Sequence, residues 1–122
     1  MKRLVEIRAY ALKAGAAPEF HELVKTAAIP LLGTFGMDVV AFGPSAHDEN
    51  AYFLIRAYDD LRDLQSQQDA FYGSEPWLKG PRASIVSRIE SYLSTVVWLS
   101  PESVEDLRQS NGGAAREAPA RP

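Results

Sequence analysis

Two segments of this 122-residue chain alternate in side-chain character with period two, two more read as strands, and helical stripes fall between them. From about Leu4 to Leu12, Val5, Ile7, Ala9 and Ala11 take one side of an extended chain, and Glu6, Arg8 and Tyr10 the other. Ala51 to Tyr58 repeats the pattern, with Phe53, Ile55 and Ala57 against Tyr52, Leu54, Arg56 and Tyr58. Val39 to Phe42 and Ile89 to Trp98 read as the other two strands. The polar SAHDEN connection, Ser45 to Asn50, is short enough to predict an antiparallel hairpin. Phe20, Leu23, Val24, Ala27, Leu31, Leu32 and Phe35 form one helical stripe. Pro18 suits its first turn, Pro30 predicts a kink or break, and Gly36 closes it. Asp59 or Asp60 caps a second helix carrying Leu61, Leu64 and Phe71. Gly73, Pro76, Gly80 and Pro81 then break the chain into loops, with one helical turn around Trp77.

The order β-α-β-β-α-β predicts an α+β, ferredoxin-like protomer: four antiparallel strands with both helices on one sheet face. The length suits a single domain over residues 1–100. Residues 101–122, poor in large apolar side chains, are expected to be a flexible tail in which Val104 and Leu107 make at most a brief helix. A net charge of −3 gives no electrostatic reason to expect nucleic acid or an anionic membrane surface as partner. No cysteine is present, so disulfides, thiolate metal sites and cysteine nucleophiles are excluded together. Charges interrupt the opening MKRLVEIRAYALK, which has no signal-peptide core or membrane span, and a cytoplasmic location is expected.

Two helices on one face leave the other face of the sheet uncovered. The side expected to lie open carries Glu6, Arg8 and Tyr10, then Tyr52, Leu54, Arg56 and Tyr58, then Arg88, Glu90, Tyr92, Val96 and Trp98. Arginine forks and tyrosine rings suit a surface that is buried yet still hydrogen-bonded. A homodimer packed through this face is expected, enclosing either a filled core or a ligand cavity. Solvated Arg–Glu pairs are the bland alternative.

VEIRAYALKAG at the start, AIPLL in the first helix, FLIRAYDDL and the closing SRIESYLSTVVWLS together resemble the NIPSNAP family of the dimeric α/β-barrel superfamily, over about Leu4 to Ser100. The resemblance implies a ferredoxin-like protomer whose sheet packs against its twin. The family's bacterial members are mostly without an assigned reaction. The wider superfamily includes cofactor-free monooxygenases, polyketide cyclases, dehydratases and haem enzymes, so fold alone licenses little about chemistry.

Glu6 and Glu90, expected on neighbouring strands, are candidates for a proton-transferring acid pair or for an Arg–Glu lattice that holds register. His21 falls off the apolar stripe and should face water, whereas His47 sits in a loop that could reach a barrel mouth. Neither is placed like a haem ligand, and two histidines are too few for a zinc site. No metal or cofactor is expected. Tyr10, Tyr52, Tyr58 and Tyr92 with Arg8, Arg56 and Arg88 are the groups expected to orient an anionic or phenolic ligand, and Trp77 is either a lid or an apolar plug. The functional expectation is a homodimer holding a small, mostly apolar or aromatic and anionic molecule, with cofactor-free oxygenase, isomerase or cyclase chemistry open. A non-catalytic interaction module with a filled interface is the alternative.

Overall fold

A computed structural model describes residues 1–111. β1 (Arg3–Leu12), β2 (Asp38–Pro44), β3 (Ala51–Tyr58) and β4 (Ile89–Leu99) form one antiparallel sheet in the order β2-β3-β1-β4. The expected split-βαβ topology and ferredoxin-like class are therefore present, with the connecting helices packed on one side of the sheet. The first helical stripe becomes α1 (Ala17–Leu23) and α2 (Ile29–Thr34), joined without a break by a π-helical segment at Val24–Ala28. Pro30 has no N–H for the turn behind it, and the wider π turn just before it absorbs the mismatch in place of a kink. Gly36, at φ +73, ends the run.

α3 (Leu61–Tyr72) starts where the Asp60 carboxylate accepts the Asp63 backbone N–H at 2.8 Å, and Asp63 returns the bond by accepting from Asp59 N. Two short helices follow: α4 (Glu75–Leu78), the turn expected around Trp77, and α5 (Arg82–Val86), which was not anticipated. Gly80 joins them. A Cβ there would collide with the Pro76 carbonyl oxygen, so only glycine lets α5 fold back this closely.

The structure reverses the expected facing of the sheet. Leu4, Leu12, Tyr52 and Tyr58 pack with Phe20, Val24, Leu32, Phe71 and Trp77 in the main core, so the side bearing Glu6, Arg8 and Arg56 lies beneath the protomer's own helices. Burying that face needs no second chain. The physical reason is volume: long Tyr, Leu and Arg side chains fill the wide gap between sheet and helices. The small and β-branched residues of the opposite side admit closer packing. That opposite side is covered at one end by α6 (Pro101–Asn111), whose Val104 and Leu107 meet Val5, Val40, Ala41, Ile55 and Ala57. Arg108 anchors the helix at 3.1 Å from Asp38 and 3.2 Å from the Val39 carbonyl. Packed structure thus continues past the boundary expected at residue 100, because Val104 and Leu107, one turn apart, suffice to seat a helix on an apolar sheet. The rest of the expected tail lies outside the described residues.

Candidate functional site

Strand register assembles a polar cluster under α3. β1 pairs Glu6 with Arg56 of β3, and pairs Arg8 with Ser94 and Tyr10 with Tyr92 of β4. Leu64, Gln68 and Phe71 share the inner face of α3, which sets the Gln68 amide above the sheet, and Tyr72 follows. Glu6, 2% exposed, is the hub. Its Oε1 accepts from Arg56 Nε at 3.1 Å and Gln68 Nε2 at 2.9 Å, with Arg56 Nη2 also 2.8 Å away. Its Oε2 accepts from Arg8 Nη2 at 2.8 Å and the Ser94 hydroxyl at 3.0 Å. Arg8 Nε donates to Ser94 Oγ at 2.9 Å, and Gln68 donates to the Tyr58 hydroxyl at 3.2 Å. Tyr72 Oη accepts from both guanidinium groups, from Arg56 Nη1 at 3.0 Å and Arg8 Nη1 at 3.4 Å. The Arg8 guanidinium lies 4.8 Å from the Tyr92 ring centre and 5.8 Å from that of Tyr72, in cation–π range.

The electrostatics follow from this arrangement. Burial works to raise the Glu6 pKa, but Arg56 and Arg8 beside it, with the Ser94 bond, hold it below the ordinary carboxylate value. Burial also opposes the charges on Arg8 and Arg56, and the surrounding phenols and carboxylate overcome it, so both pKa values rise. Tyr10 is pushed up to about 12, by burial first and by Tyr72 second. Burial raises Tyr58 as well.

Beside this cluster a cleft of about 480 Å³ opens between β1, β4 and the α4–α5 hairpin. Arg8 and Arg82 supply its charge; Tyr10, Tyr72, Trp77 and Tyr92 supply aromatic walls. Ile85 and Ile89 are among its aliphatic residues. The volume lies in the range of small-molecule sites. Beneath α1 a second void of about 40 Å³ is too small for more than a water or two.

Of the residues expected to form a site, Glu6, Arg8 and Arg56 meet in the cluster, with Tyr58 joined through Gln68, while Tyr10, Tyr92 and Trp77 border the cleft. The others lie elsewhere. Tyr52 is buried under α1, its hydroxyl 2.6 Å from His21 Nδ1, so His21 is not the purely solvated residue expected. Arg88 ties Glu19 at 2.9 Å to the Ser84 carbonyl at 2.7 Å, outside the cleft. Glu90 is exposed and forms no pair with Glu6, whose partner in β4 is Val96. A bulge opposite Ala11 and Leu12 leaves Glu90 as the extra residue, and beyond it the alternation changes phase. His47 hydrogen-bonds Ser45 at 2.7 Å in the exposed β2–β3 loop. Trp77 packs as the apolar plug, tilted against Phe71 and edge-to-face on Tyr72, and it also lines the cleft.

Tyr72, Gln68, Ser94 and Arg82 were not anticipated. Gln68 had a signal, since it occupies the i+4 position from Leu64 where an apolar residue would be usual. Among the described residues, no group of three or more His, Asp and Glu side chains is placed to hold a metal ion, and no helix is long and apolar enough to cross a membrane.

No protein-family model and no curated protein matches the chain. Solved structures do share its fold. A NIPSNAP family protein of Agrobacterium tumefaciens superposes with a TM-score of 0.75 at 16% identity, over 84% of this chain and 90% of that one. A second NIPSNAP family protein from the same organism, of unknown function, gives 0.73 at 23% identity, over 80% and 88%. A Nitrosomonas europaea protein provisionally described as an antibiotic biosynthesis monooxygenase gives 0.59 at 17% identity, over 77% and 95%.

Proposed function

We propose that the chain is a NIPSNAP-like, homodimeric, cytoplasmic protein that binds a small, mostly apolar or aromatic molecule in the cleft of each protomer. The observation that carries this reading is the cleft itself: a recess of about 480 Å³ with four aromatic walls, set against a charged cluster that hydrogen bonds hold in place before any ligand arrives. Pre-formed polar groups around an apolar recess are what a small-molecule site requires. Cofactor-free oxygenase, isomerase or cyclase chemistry fits such a site, with Tyr10 and Tyr72 as the hydroxyl groups at hand. Mass spectrometry of small molecules released from the native, purified protein tests the reading. A stoichiometric apolar compound that Trp77→Ala no longer retains supports it, and a protein that never carries or takes up such a compound counts against it.

The dimer reading rests on β4. This edge strand is eleven residues long and exposed along most of its length, with Leu93 80% and Trp98 53% accessible beside Tyr92, Val96 and Val97. A long apolar edge with unpaired backbone groups invites a second strand, and a second copy of the chain is the occupant that the NIPSNAP resemblance implies. In sedimentation, the full-length protein is expected to run as a dimer and the Leu93→Asp, Trp98→Glu double variant as a monomer. A monomeric parent protein would end this part of the proposal.

A further inference from the structure

The inner end of the cleft offers hydrogen-bond donors with no acid to meet them. Two guanidinium groups share one carboxylate in the cluster, since Arg8 and Arg56 both pair with Glu6, so the group carries one positive charge in excess. Among the described residues no Asp or Glu lines the cleft, and a further guanidinium, that of Arg82, does. Tyr72 extends the pattern. A phenol oxygen has two lone pairs and one proton. Arg8 and Arg56 each donate to Tyr72 Oη, which occupies both lone pairs and leaves the hydroxyl proton to be given to something else. Tyr10, buried on the same wall, keeps its proton throughout the ordinary pH range and is likewise a donor.

We infer that this end of the cleft is an oxyanion site and that the molecule it accepts is a small aromatic carboxylate, an inference that rests on reading the cleft as a ligand site. The acid group meets Arg8 and the Tyr72 hydroxyl, and the ring lies between Tyr92 and Trp77. A carboxylate is the match because it is acceptor-only and its charge cancels the excess on the cluster. Arg82, exposed at the mouth, adds long-range attraction.

The probes are 1-naphthoate and its neutral match 1-naphthamide, titrated calorimetrically into the full-length protein, with the melting temperature followed in parallel. Naphthoate should bind at least about tenfold more tightly than the amide, as a charge-assisted pair outweighs a neutral one. Arg8→Gln should erase that preference. Arg82→Gln, an exposed change that leaves the cluster intact, should reduce it severalfold while amide binding stays the same. Equal binding of both probes to the parent protein, or a preference untouched in both variants, overturns the oxyanion site and leaves the cleft as an apolar pocket. Failure of both probes to bind or to raise the melting temperature at millimolar concentration removes the ligand-site reading along with it.

Discussion

Glu6→Ala is expected to lower the unfolding free energy by about 3–5 kcal/mol, because it strands the fully buried Arg56 guanidinium and takes the carboxylate from Arg8 as well. Arg56 is 0% exposed and cannot recover its lost partner from solvent, whereas Arg8, with its side chain 12% exposed at the cleft, recovers part of its own. Ser94 loses its acceptor in the same change, and Gln68 keeps only the Tyr58 hydroxyl. Urea unfolding measures the effect, and a loss below about 1 kcal/mol would show that the cluster is not a closed, buried network. A Glu6→Leu, Arg56→Met double variant should recover much of the loss, since removing both charges leaves less unpaired than removing one. The pH dependence has a definite sign. Glu6 has a lower pKa folded than unfolded, so its contribution is complete above the ordinary value of 4.5 and fades as pH falls through the depressed folded value. The parent protein should therefore lose stability on acidification from pH 4.5 down through the folded value more steeply than Glu6→Ala does.

Ending the chain at Ser100 is expected to cost roughly 2–4 kcal/mol, from the full burial of Val104 at ~1.5–3 kcal/mol and the partial burial of Leu107. It would also uncover Val5, Val40, Ala41, Ile55 and Ala57, and leave Asp38 with only Arg3, 3.4 Å away. A chain ending at Asn111 is the reference, since it keeps α6 whole. The two melting curves should separate by several degrees or more, with the shorter chain less cooperative. Coincident curves would mean that α6 rests on the sheet without stabilising it. The sequence reading placed a flexible tail here, on composition alone. That reasoning fails because composition counts apolar residues, whereas docking depends on two of them lying one turn apart over a matching surface.

The pattern of residues decided a good deal about this protein. Period-two segments at Leu4–Leu12 and Ala51–Tyr58, the stripe from Phe20 to Phe35 and the Asp60 cap dictate element type, element order and hence the ferredoxin-like topology. These are local properties, set by the 2.0 and 3.6 residue repeats of strand and helix. The alternation also grouped Glu6, Arg8 and Tyr10 with Tyr52, Arg56 and Tyr58 on one side of the sheet, and the structure keeps them together. Which side the helices would choose was a tertiary matter. Both sides contain apolar residues, and the choice turned on whether long or short side chains better fill the gap beneath a helix layer. The same holds for the bulge that puts Glu90 and Arg88 out of phase, and for Tyr72 and Arg82, which reach the site from segments far away in the chain. Periodicity is blind to volume and to register slips, and the site is built from both.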